Sequence, residues 1–496
     1  MKNLNEVLDE YSKSDMYPFH MPGHKRRVFD EENPYLYDMT EVDGVDDLHD
    51  PQEVIKYEEE RIKRLYKADK SYILVGGSTV GNLAAIYSCT KDGDNVLIQR
   101  NSHKSMYNAL EIRHSKVSYL KSRTDENNIF MPVSKEEVIE ALDKNKAIKA
   151  VVITSPTYEG YHVKIKEIAE ECHKRQAILI VDQAHGAHLG FHDRFLESAV
   201  SYADITVQSF HKTLPALTQT AVMHIKGDRV DLNRVRNALD IFETSSPSYV
   251  LMKSVSKCMD LIEEKTDIFQ DYVDKLDAFY EACGNLKNIK IVKEKAQIKD
   301  PGKLVILTIV NSMTGVELAG ILSEKYQIET ELSSFNYVLA MTSIMDSRRG
   351  FERLAIALKE IDEDISKSKN EEVKIIDIAN KEKGIEKSIN LKPKKVMELY
   401  EAKAKDYEVI KIRKKQDPNH GKADDLNDYE CLGMEKAKGR ISYNLICIYP
   451  PGSPIVAPGE EITEEVINLL KAAKETGLHI TGLYVDEQEE GLLVVK

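Results

Sequence analysis

In the stretch Ile205-Thr206-Val207-Gln208-Ser209-Phe210-His211-Lys212-Thr213, a short apolar run passes straight into a polar turn that carries a lysine. A lysine at the end of a buried strand is unusual, because desolvation disfavours its charge and lowers its pKa. A lysine held as a free amine is what Schiff-base chemistry with an aldehyde requires. The competing reading is a lysine whose stem lies on the protein while its ammonium reaches water.

Five further apolar runs surround this one: Tyr72–Val75, Asn95–Ile98, Ala150–Thr154, Ala177–Val181 and Ala221–Ile225. They are continuous rather than alternating, and helical stretches separate them. That pattern predicts strands buried on both faces, hence an α/β domain with a mostly parallel sheet. Ligands of such sheets sit beyond the carboxyl ends of the strands, so polar loops that follow the runs converge on one rim.

Three more such loops carry chemistry. Gly76-Gly77-Ser78-Thr79 precedes a helix expected from about Val80, and its free N–H groups and hydroxyls suit a phosphate; an ordinary N-cap is the plainer reading. Asn101-Ser102-His103-Lys104-Ser105 offers an imidazole that can stack on a flat ring, or a surface histidine. In Val181-Asp182-Gln183-Ala184-His185 an acid ends an apolar strand. Such an acid needs a partner, either nearby backbone N–H groups or a protonated pyridine nitrogen. Together the four loops supply a phosphate cradle, a stacking ring, an acid for a pyridinium and, at Lys212, an amine for an aldehyde.

The rest of the chain fits a large enzyme. With 496 residues, 42% of them hydrophobic, it buries a core too big for a small binding module. A net charge of -14 argues against non-specific nucleic-acid binding and is compatible with attracting cations. Six scattered cysteines without a CxxC pair indicate neither zinc nor a disulfide framework, and a reducing compartment fits. No run of about 18 apolar residues suggests a membrane span, and a cytoplasmic location is expected. The expected division is an arm over 1–55, a large domain over 56–300, a small α+β domain over 301–370, a charged connection over 371–395 and a C-terminal domain over 396–496.

The residues resemble the fold-type I pyridoxal-phosphate (PLP) enzymes, and within them the bacterial ornithine/lysine/arginine decarboxylase family. The resemblance runs through Met21-Pro-Gly-His-Lys25, Asp43-Gly-Val-Asp-Asp-Leu-His49, Gly76–Thr79, Arg100–Ser105, Asp182–His185, Ser209–Lys212 with Thr218-Gln219, Ser245–Tyr249, and Tyr449-Pro-Pro-Gly452 with Pro458-Gly-Glu460. One departure is Pro215, where the family usually has a small residue.

The resemblance implies an aspartate-aminotransferase-like large domain that binds PLP, with Lys212 holding the cofactor aldehyde and Asp182 facing the pyridinium. It also implies that His103 stacks on the ring, that Ala184 is among the cofactor-binding residues, and that Ser78, Thr79, Ser209 and His211 hold the phosphate. Ser245, or Thr244, is expected to reach the phosphate across a homodimer interface. His185 or Lys212 is expected to return the proton to Cα, and Glu331 to meet the distal cation of a basic amino acid. The implied reaction is decarboxylation of arginine or lysine, ahead of ornithine, in polyamine-related metabolism. A wingless dimer or dimer of dimers is implied, with no metal. Another fold-type I reaction, such as aminotransfer, and a catalytically idle regulatory subunit are the alternatives.

Overall fold

The computed structural model describes residues 4–27, 33–265, 267–309, 313–368, 393–414, 433–449, 453–475, 477–486 and 489–496. Most of the expected 371–395 connection, Cys431 and Pro450-Pro451-Gly452 lie outside the described residues.

All six apolar runs form strands of one seven-stranded sheet. Its spatial order is Lys70–Leu74, Ala221–Ile225, Ile205–Ser209, Ile178–Asp182, Ile148–Thr154, Asn95–Gln99 and Lys116–Leu120. Only Ala221–Ile225 runs antiparallel to its neighbours; the others point the same way, so their carboxyl ends share a rim. The continuous hydrophobicity has a direct cause. Val152, Ile180 and Val207 enter one core, while Val151, Ile153, Leu179 and Val181 enter another on the opposite face. With neither face in water, alternate positions have no reason to be polar.

The predicted edges move by a few residues, and some of those residues matter. The strand before Lys212 extends through Ser209, and Phe210–Thr213 forms a single helical turn that carries the lysine. The helix expected near Val80 instead spans Gly77–Cys89, so Ser78 and Thr79 lie in its first turn. Gly77 makes the early start possible by taking φ of +74°, which a side chain would resist. At Gly76 an added Cβ would sit 2.4 Å from Val80 Cγ2 and 2.8 Å from Glu243 Oε1.

A four-stranded sheet packs beside this layer, in the order Ile289–Ile291, Lys303–Thr308, Tyr337–Met341 and Leu332–Ser333. Its strands straddle residue 301. The N-terminal arm has a helix over Leu4–Lys13 and a strand over Tyr17–Phe19, which pairs in parallel with Ile328–Thr330. That pairing carries the arm onto the same side of the molecule as the rim loops. The Gly23 N–H donates to the His211 carbonyl at 2.7 Å, one residue from Lys212.

The C-terminal part contains two three-stranded sheets and the helix Glu464–Glu475. A buried pair ties it to the rim. Arg100 donates to both carboxylate oxygens of Glu460, at 2.9 and 2.7 Å, immediately before the Asn101–Ser105 loop. The fork-on-fork geometry satisfies both ions at once, which a buried pair needs to offset desolvation.

Candidate active site

The rim loops enclose a cavity of about 430 Å³. Ser78, Thr79, His103, Asp182, Ala184, His185, Ser209, His211 and Lys212 all line it. Two expected residues do not. Ser245 is exposed in the single chain and lies outside the lining, as does Thr244. Glu331 stands behind the wall, where its carboxylate accepts from the Tyr158 hydroxyl and, at 2.9 Å, from the Met21 N–H.

Lys212 is half-buried, and its Nζ lies 3.1 Å from Nε2 of His185. Desolvation holds the amine below the usual lysine range, against the opposing pull of Asp182 and Glu331. Asp182 is 3% exposed. It accepts from the Asn82 amide at 3.1 Å and from the Ala184 N–H at 3.1 Å, and forms no ion pair among the described residues. Hydrogen bonds to a charged acceptor contribute about 1.5–3 kcal/mol each, so Asn82 is a substantial part of what holds the carboxylate inside.

The histidines are kept neutral. His103 begins the helix Lys104–Ile112, and its Nδ1 accepts from the Ser105 N–H, with Ser105 Oγ 2.8 Å away. Burial pushes His103 down to about 4, with Asp182 opposing. His211 places Nδ1 2.8 Å from the Thr220 carbonyl. A carbonyl only accepts, so Nδ1 carries the hydrogen. Burial also brings His211 to about 4, which leaves its Nε2 an acceptor until the ring gains a proton. His185 lies far below the ordinary range, first from burial and then from Lys212 and Lys303.

Several lining residues escaped the sequence reading: Asn82, Phe130, Thr157, Tyr158 and Glu159. Thr157 to Glu159 follow the strand Ile148–Thr154, so the rule that singled out the other loops also reaches them. Glu159 is fully buried; Oε1 accepts from the Tyr337 hydroxyl at 3.0 Å, and Oε2 has no partner. Asn82 and Phe130 give no such local signal.

PLP carries a phosphate, a pyridine nitrogen and an aldehyde, and the cavity can be tested for all three. The Ser78 and Ser209 hydroxyls meet at 2.5 Å at the start of a 13-residue helix, where N–H groups favour an anion. Asp182 is a buried acid without a cation, and Lys212 a desolvated amine. The residues fit the group. No set of three or more His, Cys, Asp or Glu side chains suited to a metal ion occurs among the described residues.

Proteins similar in sequence and fold agree with this geometry. The family described as Orn/Lys/Arg decarboxylase, major domain, matches residues 3–301, and its C-terminal domain matches residues 411–492. The uncharacterized protein YaaO of Bacillus subtilis is 31% identical, over 99% of this chain and 98% of its own length. The arginine decarboxylase of Bacillus subtilis is 28% identical, over 96% of this chain and 94% of its own. The crystal structure of the Francisella novicida lysine decarboxylase LdcF shares the fold at a TM-score of 0.79 and 20% identity, covering 99% of this chain and 80% of that one. A PLP-shaped rim on a fold-type I sheet, matched over both its major and C-terminal parts, places this chain in the Orn/Lys/Arg decarboxylase family of PLP-dependent amino-acid decarboxylases.

Proposed function

We propose that this enzyme removes the α-carboxylate of a basic L-amino acid, arginine or lysine ahead of ornithine, and releases the amine and CO₂ for polyamine-related metabolism. The observation that carries the reading is the convergence of Lys212, Asp182 and the neutral His103 on one cavity whose wall bears the buried acid Glu159, with Glu331 behind it.

Bound PLP supplies the electron sink for the pair left when the carboxylate departs. The chain's own residues supply the rest. Lys212 would offer its amine to the aldehyde, and desolvation weakens its hold on a proton. Asp182, fixed by Asn82 and Ala184, would pair with the ring nitrogen and keep it protonated. His103 would stack on the ring, and Ala184 lines the same cavity. Ser78, Thr79, Ser209 and the first-turn N–H groups would take the phosphate, whose negative charge would favour the protonated form of His211, able then to donate from Nε2. Glu331 gives the Tyr158 wall a negative charge suited to a distal ammonium or guanidinium. In a homodimer, Ser245 of a second copy would close the phosphate site.

The test is amine and CO₂ release from PLP-loaded protein given arginine, lysine and ornithine separately, with Lys212→Ala as the blank. Release from one of them, lost in the blank, is the expected result. Silence on all three would discard the basic-substrate reading.

A further inference from the structure

Replacing a carboxylate by hydrogen consumes one proton for each CO₂ released. His185 and His103 are held neutral and His211 is engaged by the phosphate, which leaves that proton without an obvious owner inside the cavity. Behind His185 lies a second lysine. Lys303 opens the strand Lys303–Thr308, is 1% exposed, and places its Nζ 2.7 Å from Nδ1 of His185. The other nitrogen of the same ring is 3.1 Å from Lys212 Nζ. One imidazole therefore bridges two amines.

The path of Lys303 is built into the backbone. Gly160 has φ of +98°, and a Cβ there would lie 2.8 Å from both Cβ and Cγ of Lys303, so the residue at 160 must be glycine for the stem to pass. Charged and titratable groups face Lys303 from every side. Asp300 and Lys299 come from its own loop, Glu159 from the loop after Ile148–Thr154, His185 and Lys212 from the rim, Glu331 from the small sheet, and Lys25 from the arm. Burial outweighs the acids and pushes Lys303 down to about 7, close to neutrality.

On the decarboxylase reading above, we propose that Lys303 is the proton source for Lys212, acting through His185. The N–H bond at Lys303 breaks as one forms at His185 Nδ1, and the Nε2–H bond breaks as one forms at Lys212 Nζ. One proton moves at each end and no electrons are transferred. Lys303 becomes a neutral amine, His185 stays neutral in its other tautomer, and Lys212 becomes the ammonium that can protonate Cα. Water restores the proton to Lys303 between turnovers.

Two measurements test this on the full chain. In the PLP-loaded protein, Lys303→Met and Lys303→Arg should keep the visible absorbance of the cofactor and the wild-type KM. Each should lose about a hundredfold in kcat. Arginine keeps the charge but does not give up its proton, so wild-type kcat in Lys303→Arg would overturn the relay, as would wild-type kcat in Lys303→Met. In the unloaded wild-type protein, ¹⁵N-imidazole NMR, with His185 assigned by His185→Gln, should show the Nε2–H tautomer give way to Nδ1–H as pH passes about 7. A tautomer constant from pH 6 to 9 would overturn the relay without any lysine variant having to fold. If the wild type makes no amine from any basic amino acid, the function falls while the NMR result still judges the relay.

Discussion

The Ser78–Ser209 corner of the cavity and its Tyr158–Glu331 wall are built in opposite ways. The corner uses short side chains and backbone from loops that directly follow strands of a single sheet. The wall is assembled from four remote segments: the arm at Met21, the loop at Tyr158, the small sheet at Glu331, and Lys303 at the start of another strand. A group shared by every reaction on this fold can be held by local geometry. A group that distinguishes substrates or manages the proton needs charges brought together from far apart.

That contrast can be broken most severely at the corner's neighbour, Lys212. Lys212→Ala should lower amine formation on the order of a thousandfold or more and abolish the visible cofactor band, read by product assay and absorbance. Retention of either would move the chemistry elsewhere. On the proposed function, Asp182→Asn should lower kcat about a hundredfold, since it removes the carboxylate charge offered to the ring nitrogen while its amide oxygen can still accept from the Ala184 N–H. Steady-state kinetics over the same substrates reads this.

At the wall the expected effects are smaller and fall on selectivity. Glu331→Gln should raise KM for the preferred basic amino acid about tenfold with a smaller change in kcat, from loss of a charge-assisted contact. An unchanged KM would remove Glu331 from recognition and turn attention to Glu159, which lines the cavity itself. The smallest effect is on stability. Lys303 in the folded chain lies near 7, below its ordinary value of 10.5. Between those values the unfolded chain holds a proton that the folded one has lost, so stability rises with pH across that window. Thermal unfolding of wild type against Lys303→Met should therefore show the wild type gaining on the variant as pH increases from about 7 towards 10.

Legibility followed the same division. The loops at Gly76, Asn101, Asp182 and Ser209 could be read because a continuous apolar run announces a strand buried on both faces, and the residue after it must then be at the rim. The loop at Thr157–Glu159 obeys that rule too and was available to it. Gly77 moved the helix start three residues ahead of the expectation, since the apolar pattern alone begins at Val80 and says nothing of a glycine with positive φ.

By itself, then, the sequence determined the sheet, its rim, the amine at Lys212 and the acid at Asp182, because burial and strand direction act over a few neighbouring residues. Tertiary structure alone decided that Glu331 is engaged by Met21 and Tyr158, that Gly160 clears a path for Lys303, and that one imidazole joins two lysines. All of these except the His185–Lys212 contact join residues more than a hundred positions apart. Their electrostatics depend on how deeply each charge is buried and on what faces it, neither of which is written in local order.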